Sequence, residues 1–318
     1  MLRFIVRRTA LAAVTLLLLS AIVFFISNVL PSNVARTILG PFAPQETVDA
    51  LNHELGTDRP LVVQYGSLLK KLVTFDFGNS YQNRQPVTDL ITQTLGNSAK
   101  LAFFALLLTV PLGIAGGVYA ALHKGKLGDR VIVTASLAGS SIPEFVTSTF
   151  LIVLLGLQLK LLPVLATPPE ADPSLGRQLY YLLMPAIALV LVYFGYIARM
   201  ARAGTISALA ADYTRTATMK GLPRSLVLRR HVLRNALLPT ISVVATQAGY
   251  LFGGLLAVEL IFNYNGLGRL LVTAAKAKDL PVLQAGVLVI GIIYMIATLC
   301  ADLLISYLNP RIRLGGSK

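Results

Sequence analysis

Long apolar runs separated by short polar bridges dominate this chain. The first, Thr9–Leu30, carries no charge over 22 residues. At about 1.5 Å per residue it would reach about 33 Å, enough to cross a hydrocarbon core of about 30 Å. Five more runs follow: Leu101–Leu122, Val131–Leu159, Leu179–Ala198, Asn235–Val258 and Leu280–Ala301. Each is bounded by charges or breakers, so the pattern predicts an all-α polytopic membrane protein with six transmembrane helices. A cleaved leader is the rival reading of the first run. That run is longer than a typical leader core, and Ser32-Asn33-Val34-Ala35 is a poor cleavage site, so we read an uncleaved first span.

Two polar intervals are too long to be plain turns. In 31–100, Gln45–Leu55 reads as a helix ended by Gly56. Pro60–Leu72 reads as a second, with Leu61, Tyr65, Leu68 and Leu72 at helical spacing; Val87–Leu95 is a weaker third. The Leu61 stripe is expected to lie on the spans. The other interval, 199–235, contains Asp212 as an N-cap, Gly221 as a helix-ending glycine, and Leu222-Pro223 as the start of a second short helix. Two short helices joined at Gly221 would thus hang between spans four and five.

Composition agrees with the membrane class: 55% of residues are hydrophobic, 13% charged, and mean hydropathy is +0.71. The net charge of +14 lies at the ends of the apolar runs and forms no single basic face, which excludes nucleic acid as the natural partner. With six spans both termini share a side. Placing them in the cytoplasm puts 17 of the 28 basic residues inside, among them Arg3, Arg7, Arg8, Arg199, Arg202, Arg311, Arg313 and Lys318. The interval 31–100 is then external and 199–235 cytoplasmic.

Candidate chemistry is sparse. The sequence has no phosphate-binding G-x-x-x-x-G-K-[ST] segment and no G-x-S-x-G elbow. His53, His123 and His231 are scattered, and no metal site is expected. The single Cys300 excludes an internal disulfide and is expected to pack. The unusual residue is Glu144, in the third run beside Pro143 and Ser141. An ionisable group at bilayer depth costs about 2.5–3.5 kcal/mol on insertion scales, so it should face the bundle interior or a water-filled route. Two readings stand: a pathway lining, helped by the carbonyl that Pro143 frees, or a structural glutamate bonded to neighbouring hydroxyls. Glu259, after the fifth run, either closes the Asn-Gly turn that follows or attracts a cationic substrate. Gly113-x-x-x-Gly117 and Gly249-x-x-x-Gly253 allow close helix approach, within this chain or at a subunit seam.

The segment from Asp212 to Pro239 resembles the EAA loop of ABC importer permeases, in its dipeptide and oligopeptide form. Arg215-Thr216-Ala217 stand at the family's triplet, Gly221 at its glycine, and His231-Val232-Leu233 at its distal element. The acid of the triplet is missing, and Arg234 stands where the wider family often has proline. Gly56-Thr57-Asp58-Arg59-Pro60, Gln64-Tyr65, Asp76 to Tyr81, and Glu259 to Arg269 extend the likeness over nearly the whole chain. The resemblance implies one transmembrane domain over 1–318, with 31–100 as an external cap and 199–235 as the coupling loop. It further implies a bacterial cytoplasmic-membrane subunit, half of a peptide pathway. A homologous second permease, two ATPase subunits or domains, and an external substrate-binding protein would complete the importer. ATP and magnesium would be bound by the ATPases, with no cofactor and no catalysis in this chain. Asp212, Arg215, Thr216, Ala217, Lys220, Gly221, Leu222 and Pro223 would then meet the ATPase. Glutathione, a nickel chelate or haem are alternative cargoes within the family. A stand-alone transporter or channel is a further alternative, but it would show inverted repeats that this sequence lacks.

Overall fold

The computed structural model describes residues 2–29, 33–169 and 174–308. Ser32 and the basic residues Arg311, Arg313 and Lys318 lie outside the described residues. In chain order the helices are α1 (Leu2–Val29), α2 (Val34–Leu39), α3 (Gln45–Leu55), α4 (Leu61–Thr74) and α5 (Val87–Leu122). Then come α6 (Leu127–Ser141), α7 (Glu144–Leu151), α8 (Leu175–Leu209), α9 (Asp212–Met219) and the single turn α10 (Arg224–Leu226). The last are α11 (Leu233–Ile261), α12 (Leu267–Ala277) and α13 (Leu280–Leu308). Among the described residues five helical segments are long and apolar enough to cross a membrane, or six if the bent pair α6–α7 is counted as one span. The chain divides into two compact units, Met1–Ser98 with Asn265–Met295, and Ala99–Tyr264 with the residues from Ile296 onward.

In the first unit, α3 ends where expected: Gly56 takes a left-handed conformation (φ 70°). The α4 stripe is used in part. Tyr65 places its hydroxyl 3.0 Å from that of Ser20 on α1 and its ring 5.3 Å from Phe24. Leu68 is buried, whereas Leu61 is exposed. The expected short helix at Val87–Leu95 is instead the opening of α5, which runs unbroken for 36 residues, about 54 Å. The polar Asn97 and Ser98 look like a break in sequence, but their side chains are spent on tertiary bonds. Asn97 Nδ2 donates to the Asn265 carbonyl (2.8 Å), and Ser98 Oγ accepts from the Leu267 amide (2.8 Å). The region expected as a tight turn after the fifth span also contains α12, whose Leu267, Leu271 and Ala274 are buried at helical spacing. Asp279, 1% exposed, then accepts from the Ser80 hydroxyl and from the amides of Tyr81 and Gln82 (both 3.2 Å), tying loop 76–86 to the start of α13.

The second unit is built around α8, which packs on α6, α7 and α11. Predicted as Leu179–Ala198, it extends to Leu209 because no proline lies in Arg199–Ala208 and its one glycine, Gly204, is held by packing on α11. Its neighbours approach to backbone contact. A Cβ at Gly195 would collide with the Ser136 carbonyl of α6, one at Gly139 with the Leu191 carbonyl, and one at Gly204 with the Ala236 carbonyl of α11. Gly117 of α5 meets the Ala198 carbonyl in the same way, and a Cβ at Gly113 would lie 2.8 Å from Ile197. This glycine pair therefore serves packing within the chain. Of the other pair, Gly249 is buried, while Gly253 has nothing within 4 Å of a Cβ position.

The third apolar run is not a straight span. It breaks at Ile142-Pro143, and its two halves diverge by 106°. Proline removes a backbone donor and pushes the preceding residue out of the helical region, and Ile142 is indeed extended (φ −92°, ψ 127°). Pro143 then caps α7, which continues as wider π-helical turns over Ile152–Gln158. We expect Gly195→Val to disrupt the α6–α8 contact, lowering the melting temperature of the purified protein by a destabilisation of about 3 kcal/mol or more. Gly253→Val, in open space, should melt like the parent; equal behaviour of the two variants would contradict the packing described.

Candidate functional site: the 199–235 segment and the α7 break

Helix α9 is short, and its local chemistry sets both ends. Its N-cap is Ala211, with Asp212 as the first helical residue, one position later than expected. The Asp212 carboxylate still lies in the first turn, where it opposes the helix dipole. At the other end the amide of Leu222 donates to Ala217 O (3.4 Å) and that of Gly221 to Thr218 O (3.0 Å). With Gly221 left-handed (φ 74°), this is a Schellman termination. Its customary apolar contact is present too, because Ala217 and Leu222 belong to one cluster with Ala208, Val227, Leu228, Val232 and Ala236.

That cluster joins three elements: the end of α8, helix α9, and the start of the helical run Arg224–Ile261. Thr214, buried, reinforces it by donating to the Ala208 carbonyl at 2.7 Å. The second of the two short helices expected after Gly221 is not separate. Pro223 caps a helix that proceeds through π-helical turns at Val227–Val232 directly into α11. The wider turns begin three residues after Arg224, where no proline or glycine announces them.

The predicted site residues of α9 thus sort by face. Asp212, Arg215, Thr216, Lys220, Gly221 and Pro223 are exposed, whereas Ala217 is buried and Leu222 half-buried in the supporting cluster. Three exposed residues of α9 were absent from the expected set, Tyr213, Thr218 and Met219, the last 73% exposed. Once Thr214 and Ala217 are known to face inward, the helical repeat turns Met219 away from the core of its own chain, but the sequence alone does not say which face is inward.

Beside this segment, Arg202 on α8 grips Asp129 at the start of α6 with two parallel bonds, Nε to Oδ1 at 2.6 Å and Nη2 to Oδ2 at 2.8 Å. The Gly125 amide adds a third bond to Oδ2 at 2.9 Å. A two-pronged guanidinium–carboxylate pair fixes orientation as well as distance, so loop 123–126 is held to the end of α8.

The expected pathway residues come together only in part. Glu144 opens α7, with Pro143 as its cap, and is half-buried. Its Oε1 lies 3.1 Å, and the Tyr193 hydroxyl 2.7 Å, from where a Cβ of Gly254 would sit, so two polar groups converge on that glycine. Tyr193 donates to the Tyr250 carbonyl at 3.3 Å. Ser141, exposed, is turned back onto its own helix, donating to Leu137 O at 2.8 Å. Glu259 is fully buried beneath the turn it precedes, and its carbonyl accepts from the Tyr264 amide at 2.8 Å. Among the described residues no group of three histidine, cysteine or acidic side chains could hold a metal ion.

Comparison with known proteins places this architecture. Residues 113–314 match the model of the family described as binding-protein-dependent transport system inner membrane component, and residues 1–102 match the model of its N-terminal region. A relative from Brucella abortus (strain 2308), whose name describes a peptide transport system permease protein, is 37% identical over 309 residues, covering 97% of this chain and 98% of the relative. The glutathione transport system permease protein of Shigella flexneri serotype 5b is 34% identical over 313 residues, covering 98% of this chain and 99% of the relative. The crystal structure of an amino acid ABC transporter with histidines superposes with a TM-score of 0.48 at 19% identity, covering 70% of this chain and 94% of that one. The assignment rests on the sequence matches: the chain belongs to the binding-protein-dependent transport system inner membrane components, the permeases of ABC importers.

Proposed function

We propose that this permease carries short peptides, and that α9 is the lever through which separate ATPases drive it. The carrying observation is the cluster under α9. Because Ala217 and Leu222 bind this helix to the ends of both α8 and α11, a force applied to its exposed face is delivered to two long helices together. The exposed set Asp212, Tyr213, Arg215, Thr216, Met219, Lys220 and Gly221 is the contact surface, with Pro223 at its edge. Flexible Met219 and aromatic Tyr213 supply the apolar centre that such a contact needs.

The remaining assignments follow the same frame. Both termini and 199–235 lie in the cytoplasm, 31–100 forms an external cap that meets a substrate-binding protein, and a homologous permease completes the pathway. The basic residues of 199–235 favour this orientation. Glu144, with Pro143 and Ser141 at the α7 break, borders the pathway, where a half-buried carboxylate suits the ammonium group of a peptide. Glu259, enclosed by its own chain, is assigned to the turn. The peptide reading draws on the name of the Brucella abortus relative. Glutathione, itself a tripeptide, is the second reading, favoured by the Shigella flexneri relative at 34% identity.

Reconstitution with the ATPases and binding protein in proteoliposomes tests this directly. Gly221→Asp forces a side chain into a left-handed site, at about 1–2 kcal/mol, and adds a negative charge to the contact face. Uptake should fall at least tenfold while ATP hydrolysis and membrane insertion persist; normal uptake would contradict the lever. Met219→Asp should lower co-purification of the ATPases at least fivefold without changing the melting temperature of the isolated permease. Full retention of the ATPases would remove Met219 from the contact.

A further inference from the structure

The first unit contains a cavity of about 420 Å³ that the coupling account does not use. It is walled by the end of α1, the α3–α4 corner, Tyr81 and the first turn of α13. Its volume falls within the range of about 300–1,000 Å³ typical of small-molecule sites. Unlike most such sites it is lined mainly by polar groups, and four of them are charged: Glu54, Asp58, Arg59 and Lys71. Among the described residues none of these four side chains has an ion-pair or hydrogen-bond partner, nor does the Tyr81 hydroxyl. All four residues are exposed at the mouth of the cavity, so their charged ends are open to a ligand entering from solvent. Left apart around a water-accessible space, they match a ligand that carries both signs itself.

We propose that this cavity binds a short zwitterionic peptide, with its carboxylate taken by Lys71, Arg59 and the Tyr81 hydroxyl, and its ammonium group by Glu54 and Asp58. The assignment of chemistry follows from donor type. Lysine and arginine are donors only, and a guanidinium matches a carboxylate in a two-pronged geometry. Burial, and secondly the nearby Asp279 carboxylate, raise the Tyr81 phenol above its ordinary value, so it remains a proton donor at neutral pH. The amides of Tyr81 and Gln82 are bonded to Asp279, which fixes the backbone of this loop at the cavity wall. The identity of the ligand as a peptide, and the external position of the cavity, rest on the function proposed above. A holding site on the receiving side would keep a released peptide beside the permease.

The test uses the full-length permease in lipid nanodiscs, without ATPases or binding protein, and titrates dialanine by calorimetry with saturation-transfer NMR in parallel. Dialanine should bind, while N-acetyl-dialanine and dialanine amide, each lacking one charge, should bind at least tenfold more weakly. Lys71→Met and Tyr81→Phe should each weaken dialanine at least fivefold with an unchanged melting temperature. Absence of dialanine binding, or binding by both variants as tight as that of the parent, overturns the site. If the reconstituted importer still takes up dialanine under ATP in that case, the peptide function stands without it. Binding by the isolated permease with no ATP-driven peptide uptake would instead leave the site standing and remove the peptide importer reading.

Discussion

The second unit depends on helix backbones touching one another. In lipid, apolar side chains gain nothing by leaving one hydrocarbon for another, so helices associate where small residues allow close dispersion contacts and weak backbone bonds. Gly117, Gly139, Gly195 and Gly204 provide that approach along the part of α8 from Leu191 to Gly204. A helix gripped at several levels by α5, α6 and α11 cannot slide past any of them without separating carbonyls from the glycines beneath. It moves as part of a body. On the proposed function, that constraint would let α9 act as a lever, because the part of α8 from Leu191 to Leu209, beyond Pro185, contains no proline at which displacement could dissipate.

Polar groups in the same unit are placed where they define edges of that body. Asp129 and Arg202 pin the start of α6 to α8 with paired bonds, a geometry that resists rotation better than a single contact. The break at Ile142-Pro143 marks the opposite case, a place where backbone groups are released and the chain turns by 106°. Non-helical backbone at membrane depth persists only where protein or water surrounds it. The meeting of Glu144 with Tyr193 over Gly254 at this break therefore locates a polar surface inside an otherwise apolar assembly.

Local signals in the sequence were reliable where the structure answers to local physics. Gly56 and Gly221 end their helices with positive φ, as glycine after an amphipathic run should. The apolar runs identified the long helices, though not their lengths, because a helix extends beyond the bilayer wherever nothing stops it, as α8 does through Arg199–Ala208. Failures came where a distant partner decided the outcome. Asn97 and Ser98 read as a break, yet the 265–267 turn consumes their side chains and α5 continues through them. Pro143 was visible as a weak point, but the size of the bend depends on what packs on each half. In α9, Ala217 is buried against its own chain, while Met219, outside the expected set, is exposed. Eight residues are too few for periodicity to assign a face without knowing which side α8 and α11 occupy.

The central claim is that α9 and α8 move as one body when the ATPases act. Spin labels at exposed Thr216 on α9 and exposed Leu191 on α8, in a Cys300→Ser background, report this directly by pulsed dipolar spectroscopy on the assembled importer. The account predicts a distance distribution that is the same with and without trapped ATP, while a distance from Thr216 to the second permease changes. A shift or splitting of the Thr216–Leu191 distance on ATP binding would mean that α9 swings independently of α8, and the lever would be contradicted.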